Sequence, residues 1–110
     1  MNWKTRFYDT KVRKNLQQWP VGIKAKFTWI VELVEEFGPD EVGMPHIKVL
    51  GKGLFEIRAK GNEGIGRVFF CTVGGKVIVL LSGFIKKTQK TPKKEIELAR
   101  RRMDEVKSNG

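Results

Sequence analysis

Apolar positions along the chain repeat with two different periods. In "PVGIKAKFTWIVELVEEFG", Ile23, Phe27, Ile30, Val31, Val34 and Phe37 recur at helical spacing. Pro20 suits the first turn of that helix and Gly38 its C-terminal stop. Further on, "GLFEIRAK", "IGRVFFCTV" and "KVIVLLSGF" are β-rich runs. "GNEG" separates the first two, and the Gly74-Gly75 pair between the last two signals a tight two-residue hairpin. Ahead of the long helix, "WKTRFYD" reads as a short strand and "TKVRKNLQQW" as a short helix. "TPKKEIELARRRMDEVK" begins a last helix: Thr91 can cap it, Pro92 fits its first position, and Ile96, Ala99, Met103 and Val106 share a face. Strand, helices, three antiparallel strands and a helix make a small α+β fold whose long helix covers the sheet. No internal repeat or low-complexity linker divides the chain, so residues 1–110 are expected to form one domain.

The hairpin signals also predict a register. With Gly74 and Gly75 as the turn, Val73 opposes Lys76, Arg67 opposes Ser82 and Ile65 opposes Phe84. With the preceding loop centred on Asn62 and Glu63, Arg58 opposes Arg67. Opposed residues share a face. Arg58, Arg67 and Ser82 then form one row, with Phe84 and Lys86 on the same face. A bulge at Gly66 or Gly83 shifts the row by one residue and flips it. Like charges opposed across a sheet are unfavourable. The counter-charge comes either from within, with Glu56 and Glu63 the candidates, or from a phosphate of a ligand. Arginine suits phosphate, because its planar fork donates two bonds and stays charged.

Charge sharpens that choice. The chain has 22 Lys and Arg against 12 Asp and Glu, a net charge of +10 on 110 residues. An excess of this size points to an anionic partner: nucleic acid, an acidic protein or an anionic membrane surface. The apolar fraction of 40% belongs to a folded domain. No apolar run approaches the roughly 20 residues of a membrane span. "MNWKTRFYDT" lacks the apolar stretch of a signal peptide, and the cytoplasm is the expected compartment. The lone cysteine, Cys71, lies inside "RVFFCTV" and reads as a buried structural thiol.

Other candidate chemistry is sparse. His46, in "GMPHIKVLG", has no Cys or His companions, so it reads as an incidental loop residue and no metal site is expected. Asp40, Glu41 and Glu56 show no metal-ligand spacing, and neither "GKGLFE" nor "GNEGIG" matches a phosphate-binding loop. No cofactor is expected. Trp3, Trp19 and Trp29 read as packing residues, with Trp29 partly exposed.

The runs "GLFEIR", "GRVFF" and "VIVLLSGFIKKTQKTPKKEIELARRRMDE" resemble the HigB-like, phage-associated branch of the RelE/ParE toxin superfamily. The likeness is strong over residues 50–106 and looser over 3–38. It implies a RelE-like antiparallel sheet packed against N-terminal helices, with a C-terminal helix. It implies the toxin of a type II toxin–antitoxin system, an mRNA interferase that cuts mRNA on the translating ribosome without a metal. It also implies a cognate helix-turn-helix antitoxin, contacts to ribosomal RNA, no membrane, and operator DNA only through the antitoxin complex. A ParE-like gyrase inhibitor and a plain RNA-binding module are the alternatives.

The family's motif positions carry over singly. The arginine of "L-[YFW]-E-[LI]-R" is Arg58, and the arginine opening "R-[VI]-x-[YF]" is Arg67. The aromatic of "G-F-x-K-K" is Phe84, and its lysines are Lys86 and Lys87. These five form the expected catalytic set; Lys90, Lys93 and Lys94 are expected to bind RNA. Many relatives have a histidine directly before "GF", where this chain has Ser82, and often a tyrosine where it has Phe69 and Phe70. Both departures remove groups able to transfer a proton.

Overall fold

The computed structural model describes residues 2–86 and 92–109. Its elements are β1 (Lys4–Phe7), α1 (Thr10–Gln17), α2 (Val21–Phe37), α3 (Pro39–Val42), β2 (Ile47–Gly51), β3 (Leu54–Gly61), β4 (Gly64–Val73), β5 (Val77–Lys86) and α4 (Lys93–Asn109). The strands form one five-stranded sheet in the order β1-β5-β4-β3-β2. β1 runs parallel to β5, and the other neighbours are antiparallel. The fold is α+β, as the hydrophobic pattern predicts. α3, the edge strand β2 and the parallel docking of β1 go beyond that pattern.

Each face of the sheet has its own core. Ile23, Phe27, Ile30 and Val34 of α2 and Val12 and Leu16 of α1 pack with Ile57, Ala59, Val68, Phe70, Ile78 and Leu80. On the opposite face Ala99, Met103 and Val106 of α4 cover Leu54, Phe69, Cys71, Val79 and Leu81. The alternation in "VFFC" is therefore not polar against apolar. Both faces are dry there, because helices cover both. Phe37, expected in the α2 stripe, is 53% exposed. It is the last residue of the helix, beside the turn at Gly38 that leads into α3.

Side-chain hydrogen bonds fix α4 over its face. Arg100 donates to the carbonyls of Leu50 and Gly51, Arg102 donates to the carbonyl of Leu81 at 2.7 Å, and the Tyr8 hydroxyl donates to Glu105 at 2.6 Å. The proposed Thr91 cap lies outside the described residues.

The predicted register is right in face and wrong in partner. The β4–β5 turn uses Lys76 as well as Gly74 and Gly75, so Val73 pairs with Val77. Lys76 (φ 61°) and Gly75 (φ 79°) take the left-handed conformations that close it. A bulge at the Phe69/Phe70 step then inserts Leu81. Each event shifts the pairing by one residue. Together they move it by two, which keeps side chains on the expected face. Arg67 therefore faces Phe84, not Ser82, and Ile65 faces Lys86, not Phe84. Arg58 faces Arg67, as predicted.

α2 takes its N-terminal cap from a distant loop. Pro20, the N-cap itself, has no capping side chain. Instead the Glu63 carboxylate, in the β3–β4 turn, accepts from the Gly22 and Ile23 amides at 3.0 and 3.1 Å. Those backbone bonds hold the Glu63 carboxyl below its usual pKa. Glu63 is thereby committed to the helix and not to the arginines. The approach requires Gly61, where a Cβ would stand 2.6 Å from the Ile23 nitrogen and 2.8 Å from the Gly22 carbonyl carbon. Gly61→Ala is expected to destabilise the protein by about 2 kcal/mol, a typical overpacking cost. Gly74→Ala, with no atom within 4 Å of the added carbon, serves as the control. Urea melts of the two variants with equal midpoints would count against this packing.

A cationic cleft at the open end of the sheet

α4 covers only part of its face. Beyond it, the same face carries Glu56 and Arg58 of β3, Arg67 of β4, and Phe84 and Lys86 of β5. Strand alternation puts them there: Arg58, Arg67 and Phe84 form one cross-strand row, and Glu56 lies one step along toward the covered core.

Burial makes the row unusual. Glu56 is 1%, Arg67 3% and Lys86 6% exposed. Glu56 sits between the arginines, its Oε1 3.4 Å from Arg58 Nε and its Oε2 3.5 Å from Arg67 Nη1. Of the two internal partners the sequence allows, Glu56 is the one used. Both contacts are long for charge-assisted hydrogen bonds. One carboxylate thus faces two guanidinium groups and an ammonium.

Lys86 Nζ is buried and has no hydrogen-bond partner among the described residues. Burial lowers its pKa first, and the charges of Arg67 and Arg58 lower it further, against an opposing pull from Glu56. Phe84 is half-buried, its ring tilted against Phe69 at 6.0 Å between centroids. It therefore belongs both to the α4 core and to the open row. Ser82 is buried, as are Phe69 and Phe70. None of these three presents a polar group to the cleft.

The cleft itself encloses about 300 Å³ and is lined by Lys26, Pro45, His46, Arg58, Lys60, Ile65 and Arg67. His46, which reads from the sequence as an incidental loop residue, lies in the wall of this cleft. Its carbonyl accepts from the Arg58 amide at 2.9 Å, which extends the β2–β3 ladder by one step and sets the two residues side by side. The sequence signal was available in "HIKVLGKGLFEIR": if "IKVL" pairs with "LFEI" across a short glycine turn, residue 46 must neighbour residue 58.

The remaining expected residues lie elsewhere. Lys93 and Lys94 are exposed at the start of α4 and do not line the cleft. Lys87 and Lys90 lie outside the described residues. Among the described residues, no group of three or more His, Cys, Asp or Glu is placed to hold a metal ion, and no helix is long and apolar enough to cross a membrane. Cys71 is fully buried, and burial raises the pKa of its thiol, as expected for a structural cysteine.

A buried lysine with a lowered pKa weakens the fold while it is charged. Below its folded pKa, Lys86 is protonated in both folded and unfolded chains, and the penalty is fully present. As pH rises from the folded pKa toward the unfolded value of 10.5, the folded state sheds its proton first and the penalty fades. Lys86→Met is therefore expected to raise the urea midpoint at pH 7, with the gain shrinking as pH approaches 10.5. A midpoint lowered at pH 7, or a gain that grows with pH, would contradict a desolvated ammonium here.

Comparison with known proteins adds the family. The model of "Phage derived protein Gp49-like (DUF891)" matches residues 14–104. The crystal structure of the archaeal RelE–RelB complex from Pyrococcus horikoshii OT3 contains a chain of similar fold, with a TM-score of 0.55 and 22% identity. The match covers 81% of this chain and 100% of that one. Comparison with curated proteins gives no match. The sheet and helices thus have the fold of RelE, and the chain belongs to the phage-derived Gp49-like family, a family of the RelE/HigB toxin type.

Proposed function

We propose that this protein is the single-domain, cytoplasmic toxin of a type II toxin–antitoxin pair and acts as a ribosome-dependent mRNA endonuclease. The observation that carries the reading is the excess of cations over carboxylate in the Arg58–Arg67–Lys86 cluster. Fold stability gains nothing from an arginine pair with a buried ammonium beside it. A phosphodiester brought to the Arg58 side of the row would place its negative charge beside these cations.

The reaction uses the RNA's own nucleophile. The 2′-hydroxyl attacks the adjacent phosphorus, and the bond to the 5′-oxygen breaks. Arg58, 30% exposed, can swing toward the phosphate, while buried Arg67 stays fixed. Each well-placed donor to the developing charge is worth about 3–4 kcal/mol. The open side of Phe84 can stack a base and turn the strand toward in-line geometry. Lys86, whose pKa is lowered by burial and by the neighbouring arginines, is the proton-transfer candidate. Lys87 is the second lysine of the motif, and Lys90, Lys93 and Lys94 are the residues proposed to contact ribosomal RNA. No step calls for a metal or cofactor.

The antitoxin partner follows from the family and from the P. horikoshii RelE chain, which was solved with RelB. A helix-turn-helix antitoxin with an acidic or mixed-charge segment over the Arg58–Arg67 row would neutralise the cluster and bring the pair to its operator. A gyrase inhibitor would have no use for a phosphate-sized cation row at the end of a sheet. A plain RNA-binding module would use the same cations without cutting, and mutations separate the two.

In growth-arrest assays, Arg67→Ala, Phe84→Ala and Lys86→Ala are expected to abolish toxicity while the antitoxin complex still forms. Lys93→Ala and Arg101→Ala are expected to leave toxicity nearly unchanged. Cleavage of ribosome-bound mRNA should persist when Zn²⁺ and other transition metals are stripped and Mg²⁺ is kept for the ribosome. Small, equal losses at all five positions would leave only a general RNA-binding surface.

A further inference from the structure

Strand cleavage by a 2′-hydroxyl needs one proton taken and one given. The positions where relatives carry proton-transfer groups are filled here by Ser82, Phe69 and Phe70, all buried. Among the described residues, the cleft wall holds an imidazole, His46, and the same sheet face carries the Lys86 amine opposite Ile65.

Several features single out His46. It is the only histidine in the chain. It is half-buried, and its main chain is tied to Arg58, one of the two arginines of the row. Its ring meets the Trp29 ring edge-on, with centroids 5.1 Å apart and planes at 89°. Trp29 is itself held by Lys26, whose Nζ lies 4.6 Å over the indole. The edge-on contact with Trp29 restricts the His46 ring, and a proton-transfer group needs such positioning. The charged groups that line the cleft with it are Lys26 from α2, Arg58 and Lys60 from β3, and Arg67 from β4.

We infer that His46 is the general base of the reaction and Lys86 its general acid, an inference that rests on the endonuclease reading above. The proton of the 2′-hydroxyl passes to the His46 imidazole as the O2′–P bond forms. The P–O5′ bond breaks, and the Lys86 ammonium gives its proton to the departing 5′-oxygen. The products are a 2′,3′-cyclic phosphate and a 5′-hydroxyl, and solvent then returns both side chains to their starting states. Trp29 acts as a positioning residue through His46.

The test is single-turnover cleavage of mRNA on programmed ribosomes, with a 5′-bridging phosphorothiolate at the cut site as a second substrate. A thiolate leaves without a proton, so it needs a base but no acid. His46→Gln is expected to slow cleavage of the normal substrate about 100-fold at saturating ribosome. It should leave ribosome affinity unchanged and remove the acid limb of the pH–rate profile. The sulfur substrate should restore Lys86→Met and not His46→Gln. Because His46 is the sole histidine, its imidazole titration in the wild-type protein is read directly by NMR and should coincide with the acid limb. That measurement needs no variant, so misfolding cannot obscure it. A His46→Gln rate within about threefold of a cleaving wild type, or an imidazole titration more than about one pH unit from the acid limb, would overturn the inference alone. A wild-type protein that does not cut ribosome-bound mRNA would overturn the endonuclease reading and this assignment together.

Discussion

Arg58 stands directly opposite Arg67 on neighbouring strands of a buried sheet. Two cations in that relation repel, and a fold can hold them only if something negative is fixed between them. Glu56 does this from a position that is itself 1% exposed. Its carboxylate makes the row possible without neutralising it, because Lys86 adds a further buried charge on the same face. Burial lowers the pKa of Lys86 first and the neighbouring arginines lower it further, and the proposed phosphate site uses this same row. Replacing such a group with well-packed hydrocarbon commonly leaves a protein no less stable.

The scaffold concentrates its packing away from this point. α1 and α2 cover one face of the sheet, and α4 covers the far part of the other. α4 is held by carbonyl contacts from Arg100 and Arg102, so two cations of the last helix are structural clamps. The basic excess of the chain is thus divided between anchoring a helix and lining a cleft. Net charge alone could not make that division, since it counts both kinds equally.

Much of this was legible in the sequence, for definable reasons. The α2 stripe, the three central strands and the α4 face follow from hydrophobic period, which tertiary contacts here reinforce. The face of the site was legible because two one-residue shifts, at the Lys76 turn and the Leu81 bulge, cancel in parity. The partners were not legible, because neither shift has a strong local signal: Gly-Gly fits a two-residue turn as well as a three-residue one. β2 was missed because "IKVLG" is a short edge strand with an irregular burial pattern, and the placement of His46 beside Arg58 was missed along with it. The role of Glu63 was hidden for another reason. Its bonds reach from a hairpin turn to a helix end 40 and 41 positions away, and no local pattern encodes such a pairing.

The central claim is that the Arg58–Arg67 row exists to hold RNA phosphate. The most direct measurement is NMR of the arginine Nε–Hε groups during titration with a short RNA oligonucleotide methylated at the 2′-oxygens, which can bind and cannot be cut. The account predicts that the Arg58 and Arg67 signals move first and furthest, and that Glu56→Gln tightens binding by removing the competing carboxylate. Signals that move only at exposed α4 positions such as Arg101, with Arg58 and Arg67 unchanged at saturation, would contradict it.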